Sequence, residues 1–499
     1  MLSSDSKHCI HRENYLKMKR QISIILLAAA AMFGSCKKGL DEVPEGFLTK
    51  DNAFTDASDA QSAVNGLLSA LQPQAYYQRT IYIITECSGD ALQPIAGQTP
   101  ERLEMFNITY NAGNVEIRNW WQNSYKLISR ANDIIAYVPG IDMDETQKKN
   151  LLGNAYFLRG MAYFDLVRSF GDVPLMLKPV TSINDPNMYP ARTDGGLVYK
   201  QVIEDLKYAE ANCFPENKIT LKGMVSSGAA SAMLARVYLQ RNSTQWKEAT
   251  DNQNALDACN RVINSGVYKL LDNYADVFDC DKENGPEHIF SVQFGTNGSG
   301  TTQNIIVRMF SPAGLGGSGS FLTTPQFFQK AYFSAADTRK AWNLSDFDGT
   351  KKVDPFIYKY RDAQWAKNSN NARNNWLILR YADVLMMQSE AMNNLNPADP
   401  AKFNGLNAVR KRAGLTAPEF QLNLTNTPNA QAFIDTLVND RSRELCVEGH
   451  RRWDLLRLGK YKEVQQSLGH KVEDYQLLLP LPQTELDANT ALKQNPQYN

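Results

Sequence analysis

Apolar residues recur at three- and four-residue steps over long stretches of the chain, and this spacing predicts amphipathic helices. One apolar stripe covers residues 152–170, with Arg159 as the charged residue that interrupts it. It ends at Gly171–Pro174, because glycine tolerates the last turn of a helix and proline cannot continue one. A second stripe covers residues 121–135 and closes at Pro139-Gly140. The short connection between the stripes predicts an antiparallel helical hairpin.

This helical unit recurs along the chain. The recurrences are residues 197–211 with 226–239, a further helix at 255–263, and 379–392 with 403–412. Stacked hairpins are typical of solenoids like the tetratricopeptide repeat, although no strict repeat consensus is visible. The predicted fold is therefore mainly α, with tetratricopeptide-like helical hairpins as a scaffold, in one domain over residues 51–499.

Three stretches lack helical periodicity and interrupt the scaffold. They are residues 85–102, the glycine-rich 283–325, which includes a β-type run at 288–294, and 343–375. Long loops on a rigid frame are where binding residues concentrate. We therefore expect the functional residues in these insertions.

The beginning of the chain has the layout of a bacterial lipoprotein signal. Lys19 and Arg20 precede an apolar run over residues 22–33, which is too short to span a bilayer core of ~30 Å. Gly34-Ser35-Cys36 follows, and with Phe33 it resembles a lipobox in which Cys36 is lipidated. We interpret residues 1–36 as the signal and 37–50 as a flexible tether. Met18 is the more natural start, which leaves residues 1–17 outside the signal.

Composition narrows the class of protein further. The 499 residues include 53 basic and 53 acidic side chains, so no basic field exists to collect nucleic acid. Cysteines at 87, 213, 259, 280 and 446 form neither CxxC pairs nor a metal-like cluster. We interpret them as buried thiols, with Cys446 inside a helical pattern.

Catalytic constellations are weak in this sequence. Glu444 and Glu448 would share a helix face, whereas the two carboxylates of a glycosidase approach the substrate from opposite sides. We interpret this pair as ion-pairing with Arg441, Arg451 or Arg452. The segment Gly314–Gly319 satisfies GxGxxG, but neither a hydrophobic strand nor a helix flanks it, so we interpret it as a flexible loop. We predict no enzyme, no cofactor and no metal site.

Six blocks in order resemble one known family. They are Ala155–Leu175 ending in FGDVPL, Ser226–Leu239, Trp376–Ala391 with RYADVL, Leu406–Gly414 with LNAVRKRAG, Asp440–Arg457 with EGHRRWDLLR, and Pro480–Tyr498. Together with the lipobox, these blocks are similar to those of the SusD/RagB family of Bacteroidetes surface lipoproteins.

The resemblance implies a non-enzymatic lipoprotein on the outer membrane, exposed at the cell surface. It implies capture of oligosaccharides and their delivery to a SusC-like TonB-dependent transporter. Capture of peptides or glycoproteins for the same kind of transporter is the alternative. A surface glycoside hydrolase and a protein-binding scaffold are further readings.

Sugar binding needs aromatic faces for the C–H groups of the ring and planar polar groups for its hydroxyls. Trp342 and Trp365 lie in or beside the irregular stretches, and Gln93, Gln98 and Arg102 lie in the first one. These five are the predicted ligand residues. By contrast, Trp121, beside Trp120, lies on a predicted helix and is expected in the core.

Overall fold

A computed structural model describes residues 53–182, 184–185, 187–295, 303–330, 332 and 334–498. The predicted signal with Cys36, the start at Met18 and the tether over 37–50 lie outside the described residues. Residues 54–499 make up one compact unit.

Helices dominate the described chain, as the apolar spacing predicts. They are α1 (Ala57–Ser69), α2 (Thr80–Tyr82), α3 (Pro100–Asn107), α4 (Val115–Tyr137), α5 (Glu145–Phe170), α6 (Gly195–Asn212), α7 (Ser227–Asn242), α8 (Asp251–Asn264), α9 (Ile306–Phe310), α10 (Pro325–Lys330), α11 (Arg339–Asn343), α12 (Tyr381–Leu395), α13 (Asn404–Arg412), α14 (Ala430–Glu444), α15 (Arg451–Arg457), α16 (Tyr461–Ser467) and α17 (Gln483–Ala488).

The longer helices pack in chain order, each against the next, from α4 through α8, and α12 then packs on α8 and α13. Polar side chains fix where several of them begin: Asn114 accepts backbone N–H groups at the start of α4, and Ser226 does so for α7. The helix α5 is buried along most of its length and lies between α4 and α6. Trp120 and Trp121 on α4 are both buried, so the prediction that Trp121 belongs to the core is confirmed.

Arg159, the charged residue in the apolar stripe of α5, joins three helices. Its guanidinium donates twice to the carboxylate of Asp205 on α6, at 2.8 Å each, and once to Asn132 on α4, at 2.9 Å. A buried charge is tolerated only when it is paired and hydrogen-bonded, which is the case here. Arg159 therefore sets the register of α4, α5 and α6.

Strands are short and pair across long distances in the chain. They are β1 (Leu92–Pro94), β2 (His288–Val292), β3 (Phe321–Thr323), β4 (Leu344–Phe347), β5 (Lys352–Ile357) and β6 (Trp376–Arg380), and they form three antiparallel pairs, β1–β3, β2–β6 and β4–β5. The predicted β-type run at 288–294 is confirmed by β2.

The expected helix over 379–392 begins later than predicted. Residues 376–380 form the strand β6, buried throughout, and the helix begins at Tyr381. A short continuous apolar run fits a buried strand as well as a buried helix, so periodicity could not separate the two.

The segment around Glu444 also differs from the prediction. The helix α14 ends at Glu444, and Val447 and Gly449 take positive φ values of 54° and 84°. Glu448 therefore lies in a turn and shares no helix face with Glu444. Cys446 lies in the same turn rather than in a helix, although it is a buried free thiol, like the other four described cysteines.

The partners of these two glutamates are not the predicted ones. Glu444 and Glu448 both bind Arg380, at 2.7 Å, whereas Arg441 pairs with Asp383 and Asp454. Around Arg380 lies a buried network of four cationic and four anionic side chains. Its members, called here the Arg380 network, are Glu287, Asp337, Arg339, Lys359, Arg380, Arg412, Glu444 and Glu448.

Among the described residues, no helix combines the length and the apolar character needed to cross a membrane.

Replacing Arg380 with methionine should destabilise the protein strongly. The change leaves three carboxylates buried without their central partner, and loss of one member of a buried ion pair costs about 3–5 kcal/mol. Urea unfolding followed by tryptophan fluorescence measures the difference. The matched control is Lys352→Met, whose ion pair with Asp346 is exposed and should change stability by less than about 1 kcal/mol. Equal midpoints for the two variants would contradict a stabilising network.

Candidate functional site

The first two irregular segments meet at one small sheet. Strand β1 pairs antiparallel with β3, and Gln93 lies opposite Leu322 in the register. The backbone N–H of Ile95 extends the pairing by donating to the carbonyl of Ser320 at 3.2 Å. Residues more than two hundred positions apart are therefore neighbours here.

The third irregular segment packs on the second. Asn368 donates its backbone N–H to the carbonyl of Gly316 at 2.9 Å, and Arg308 donates to the side chain of Asn370 at 2.9 Å. Segments 92–98, 308–323 and 361–373 thus form one continuous surface, called here the loop face.

The GxGxxG segment is a packed turn in this surface rather than a flexible loop. Gly316 has a φ of 89°, a backbone conformation that residues other than glycine rarely adopt. At Gly314, an added Cβ would lie 2.3 Å from a carboxylate oxygen of Asp348, in the turn between β4 and β5. The glycines therefore allow the hairpin β4–β5 to approach the loop face, with Phe347 of that hairpin 52% exposed.

A polar cluster lies beside the same sheet. Glu116, in the first turn of α4, accepts a hydrogen bond from Thr80 at 2.6 Å and lies 3.6 Å from Arg79 and 3.8 Å from Arg102. Arg102 also donates to the side chain of Gln98 at 2.5 Å, and its guanidinium lies 5.6 Å from the ring centre of Phe321 in β3. We call Arg79, Arg102 and Glu116 the Glu116 cluster.

This cluster is incompletely satisfied by the described residues. The Nε atoms of Arg79 and Arg102 and the hydroxyl of Tyr82 are buried and have no hydrogen-bond partner there. Burial raises the pKa of Tyr82 well above its ordinary value, so the phenol stays protonated. The two arginine side chains remain 21% and 12% exposed, so their outer edges reach solvent. The unpaired Nε atoms are themselves buried, so only the outer N–H groups of the two guanidiniums can face a ligand.

The structure brings four of the five predicted ligand residues to the loop face or its cluster. Gln98 and Arg102 touch each other, and Gln93 is half-buried in β1. Trp365 is half-buried on the third segment, and its indole N–H donates to the carbonyl of Ser369 at 3.1 Å.

Trp342 has a different environment. It lies on α11 beside a small core cluster that contains Tyr274 and Leu377. The guanidinium of Arg361 lies 3.9 Å from its ring centre and so covers one face. This ring is therefore less available for stacking than that of Trp365.

Sequence reasoning missed Arg79, Glu116 and Phe347. Arg79 and Glu116 lie at the beginnings of helices, where charged residues are common and carry no signal of a site. Phe347 directly precedes Asp348-Gly349, a pair that favours a hairpin turn, and this signal could have found it.

Glu444 and Glu448 are not placed to cleave a substrate, since both carboxylates are buried. Burial by itself raises the pKa of Glu444, but Arg412, Arg380 and Arg339 outweigh it and hold the pKa well below 4.5. Arg380 and Lys359 likewise lower the pKa of Glu448. Neither residue can donate a proton as a general acid. Within the described part of the chain, no group of three potential ligands could hold a metal ion.

The fold and the loop face define a mainly helical protein whose insertions build one polar surface. Two family models match the chain: "SusD family" over residues 329–498, and "Starch-binding associating with outer membrane" over residues 47–239. The chain belongs to the SusD/RagB family, as the six sequence blocks indicate. Members of this family are binding proteins rather than enzymes.

Individual relatives align with this chain over nearly its whole length. A SusD-like protein of Formosa agariphila is 26% identical, with 97% of this chain and 99% of the relative covered. A crystal structure of a SusD homolog from Bacteroides thetaiotaomicron superposes with a TM-score of 0.80 at 23% identity, covering 90% of this chain and 98% of the other. A laminarin-binding SusD-like protein gives a TM-score of 0.74 at 24% identity, covering 89% and 100%.

The protein should lose stability in acid because of its buried carboxylates. A folded-state pKa below the ordinary 4.5 gives stability that is fully present above pH 4.5 and is lost as the pH falls through the folded pKa. Each such group contributes a slope of about 1.4 kcal/mol per pH unit. Glu448→Gln should therefore flatten the fall in unfolding free energy between about pH 4.5 and 3.

Chemical unfolding at several pH values measures this slope. The control Glu463→Gln removes a carboxylate that is 72% exposed and should keep the slope of the wild-type chain. Glu86, whose pKa burial raises to about 7, is present in both chains, so its own titration cancels in the comparison. Parallel slopes for wild type and Glu448→Gln would contradict the assignment.

Proposed function

We propose that this protein is a cell-surface glycan-binding lipoprotein whose loop face captures oligosaccharides. The observation that carries the proposal is the Glu116 cluster, in which two partly exposed arginines lie over one buried carboxylate, beside Gln98. Sugar hydroxyls accept hydrogen bonds from guanidinium groups, and they can both donate to and accept from side-chain amides. The arginines share one buried carboxylate, so the cluster presents donors without a large local charge.

Aromatic rings on the loop face and on the adjoining hairpin supply the apolar part of the site. Trp365 on the third segment and Phe347 on the adjoining hairpin are partly exposed. The C–H groups of a sugar ring pack on such faces, while its hydroxyls reach the polar side chains. A surface that combines both kinds of group suits an oligosaccharide better than a purely apolar peptide.

The family comparisons support the same ligand class. The description of the N-terminal family model includes starch binding and association with the outer membrane. One structural neighbour is a laminarin-binding protein. The residues of the loop face, rather than those of the helical scaffold, would determine which glycan this chain binds.

The remaining parts of the proposal concern location and partner. Cys36 carries the lipid that holds the chain to the outer membrane, on the outer surface. Captured oligosaccharide passes to a SusC-like TonB-dependent transporter. Recovery of that transporter with the lipidated chain from solubilised outer membranes tests the partnership, and its absence from gently solubilised complexes counts against it.

Affinity gel electrophoresis against plant, host and microbial polysaccharides tests glycan capture. We expect at least one polysaccharide to retard the chain, and Trp365→Ala to weaken that retardation. Loss of one aromatic stacking contact is worth about 0.5–1.5 kcal/mol, or roughly 2- to 13-fold in affinity.

The matched control is Trp342→Ala. Because Arg361 already covers one face of Trp342, this change should lower thermal stability and leave retardation of the folded protein unchanged. Absence of retardation by every polysaccharide would favour peptide capture instead. Equal loss in both variants would place the ligand elsewhere.

Cys36→Ala should release the chain from the membrane. Without the thiol no lipid can be attached, and the protein should move from the membrane fraction to the soluble fraction. Metabolic labelling with palmitate checks lipidation directly, and Cys280→Ala, which replaces a buried thiol, is the control that should keep the label. A labelled Cys36→Ala chain would rule out this anchor.

A further inference from the structure

A second polar surface lies at the other end of α3 from Arg102. Segments 107–111, 469–476 and 497–498 enclose a groove of about 630 Å³, called here the terminal groove. This volume lies in the range of small-molecule sites. None of the three segments of the loop face lines it. Arg102 and Asn107 are five residues apart on α3, a rise of ~8 Å.

The floor of the groove is held rigidly. Tyr110 and Gln476 are buried there, and the Tyr110 hydroxyl donates to the carbonyl of Gln476 at 2.8 Å. Arg452, fully buried beneath them, donates to both the Tyr110 hydroxyl and the Gln476 carbonyl, at 3.1 and 3.0 Å. A preorganised floor reduces the entropy lost when a ligand binds.

Two wall residues have unusual backbone conformations. Ile108 has a φ of 57° and Gln497 a φ of 68°. Positive φ is strained for a β-branched residue such as isoleucine. The side chain of Gln476 donates to the carbonyl of Ile108 at 2.7 Å and so helps to hold that conformation. Backbone strain is found disproportionately at ligand sites.

The charges at the groove are paired. Lys471 pairs with Glu473, and Asp474 at the rim pairs with Lys462, each at 2.5 Å. Burial lowers the pKa of His470 and so disfavours its charged form. This balance disfavours a phosphate, a carboxylate or a cationic peptide as the ligand.

Hydroxyl-binding and ring-stacking groups are both present. Asn107, Asn111 and Gln497 are exposed amides along the walls. Tyr475 is half-buried, with its ring centre 4.8 Å from that of Tyr498 in an edge-to-face arrangement. Amide side chains can hydrogen-bond to the hydroxyls of a sugar, and a tyrosine ring can pack against its apolar face.

We propose that the terminal groove is a second binding site, specific for a neutral saccharide unit and separate from the loop face. It rests on the proposed function in that both sites take the same class of ligand. Two sites on one molecule hold a long glycan more tightly than either site alone.

Site-specific fluorescence separates the two surfaces. In a chain carrying Cys9→Ser and Cys36→Ser, the other five cysteines are buried, so an introduced cysteine takes the dye. Asp474→Cys labels the rim of the groove, where the Asp474 side chain is 91% exposed. Lys367→Cys labels the loop face. Each labelled protein is titrated with maltohexaose, laminarihexaose, cellohexaose and xylohexaose.

We expect the groove label to respond to at least one of these oligosaccharides. Asn107→Trp, which fills the groove, should weaken that response at least about tenfold, whereas Trp365→Ala should leave it unchanged. Lys126→Trp on the exposed side of α4 is the control for an added tryptophan and should have no effect.

The outcomes distinguish the two proposals. A response from the loop-face label alone overturns the terminal groove and keeps the proposed function. A response from the groove label alone keeps the groove and overturns the loop face as the capture site. Silence of both labels counts against both. A groove response that Trp365→Ala abolishes and Asn107→Trp spares would also overturn the second site.

Discussion

The Arg380 network is the constraint on which the arrangement of the C-terminal half depends. Arg380 is almost completely buried at the end of β6, and its guanidinium reaches Glu287, Glu444 and Glu448. Removing so many charges from water is costly, and only close, hydrogen-bonded geometry offsets that cost. The elements that supply the charges therefore have little freedom to move independently. The network fixes β2, β6, α11, α13, α14 and the turn after α14 together.

That turn also anchors the N-terminal half. The carboxyl of Glu86 accepts the backbone N–H groups of Gly449 and His450, at 2.8 and 2.9 Å. A Cβ at Gly449 would lie 3.1 Å from Ile81, so the close approach of the two segments favours glycine. The irregular segments consequently leave the scaffold from fixed points. Tyr360 lies just before segment 361–373 of the loop face, and its hydroxyl donates to the carbonyl of Val447 in the same turn at 2.7 Å.

The long helices could be predicted from the sequence, because each one buries an apolar stripe that repeats within a few residues. The ion partners could not. Arg339 and Glu444 are 105 positions apart, and nothing local marks them as a pair. The beginning of α12 was misplaced for a related reason, since the apolar run of β6 becomes a strand only through its pairing with β2. In the candidate site, Gln98 and Arg102 were found because they are close in the sequence. The Glu116 cluster was missed because its members come from three separate elements.

The buried arginines and the exposed loops have different roles, and this difference bears on ligand specificity. Buried arginines, Arg159, Arg380 and Arg452, carry hydrogen bonds that join elements, and their geometry tolerates little change. The loop face and the terminal groove lie on segments whose exposed residues take no part in those bonds. Under the proposals made above, ligand specificity would depend on residues of these segments, such as Phe347 and Asn111, more than on the buried arginines. The two surfaces differ in charge. The three segments of the loop face carry four basic residues and one acidic residue, whereas the acidic residues of the terminal groove are each paired with a lysine.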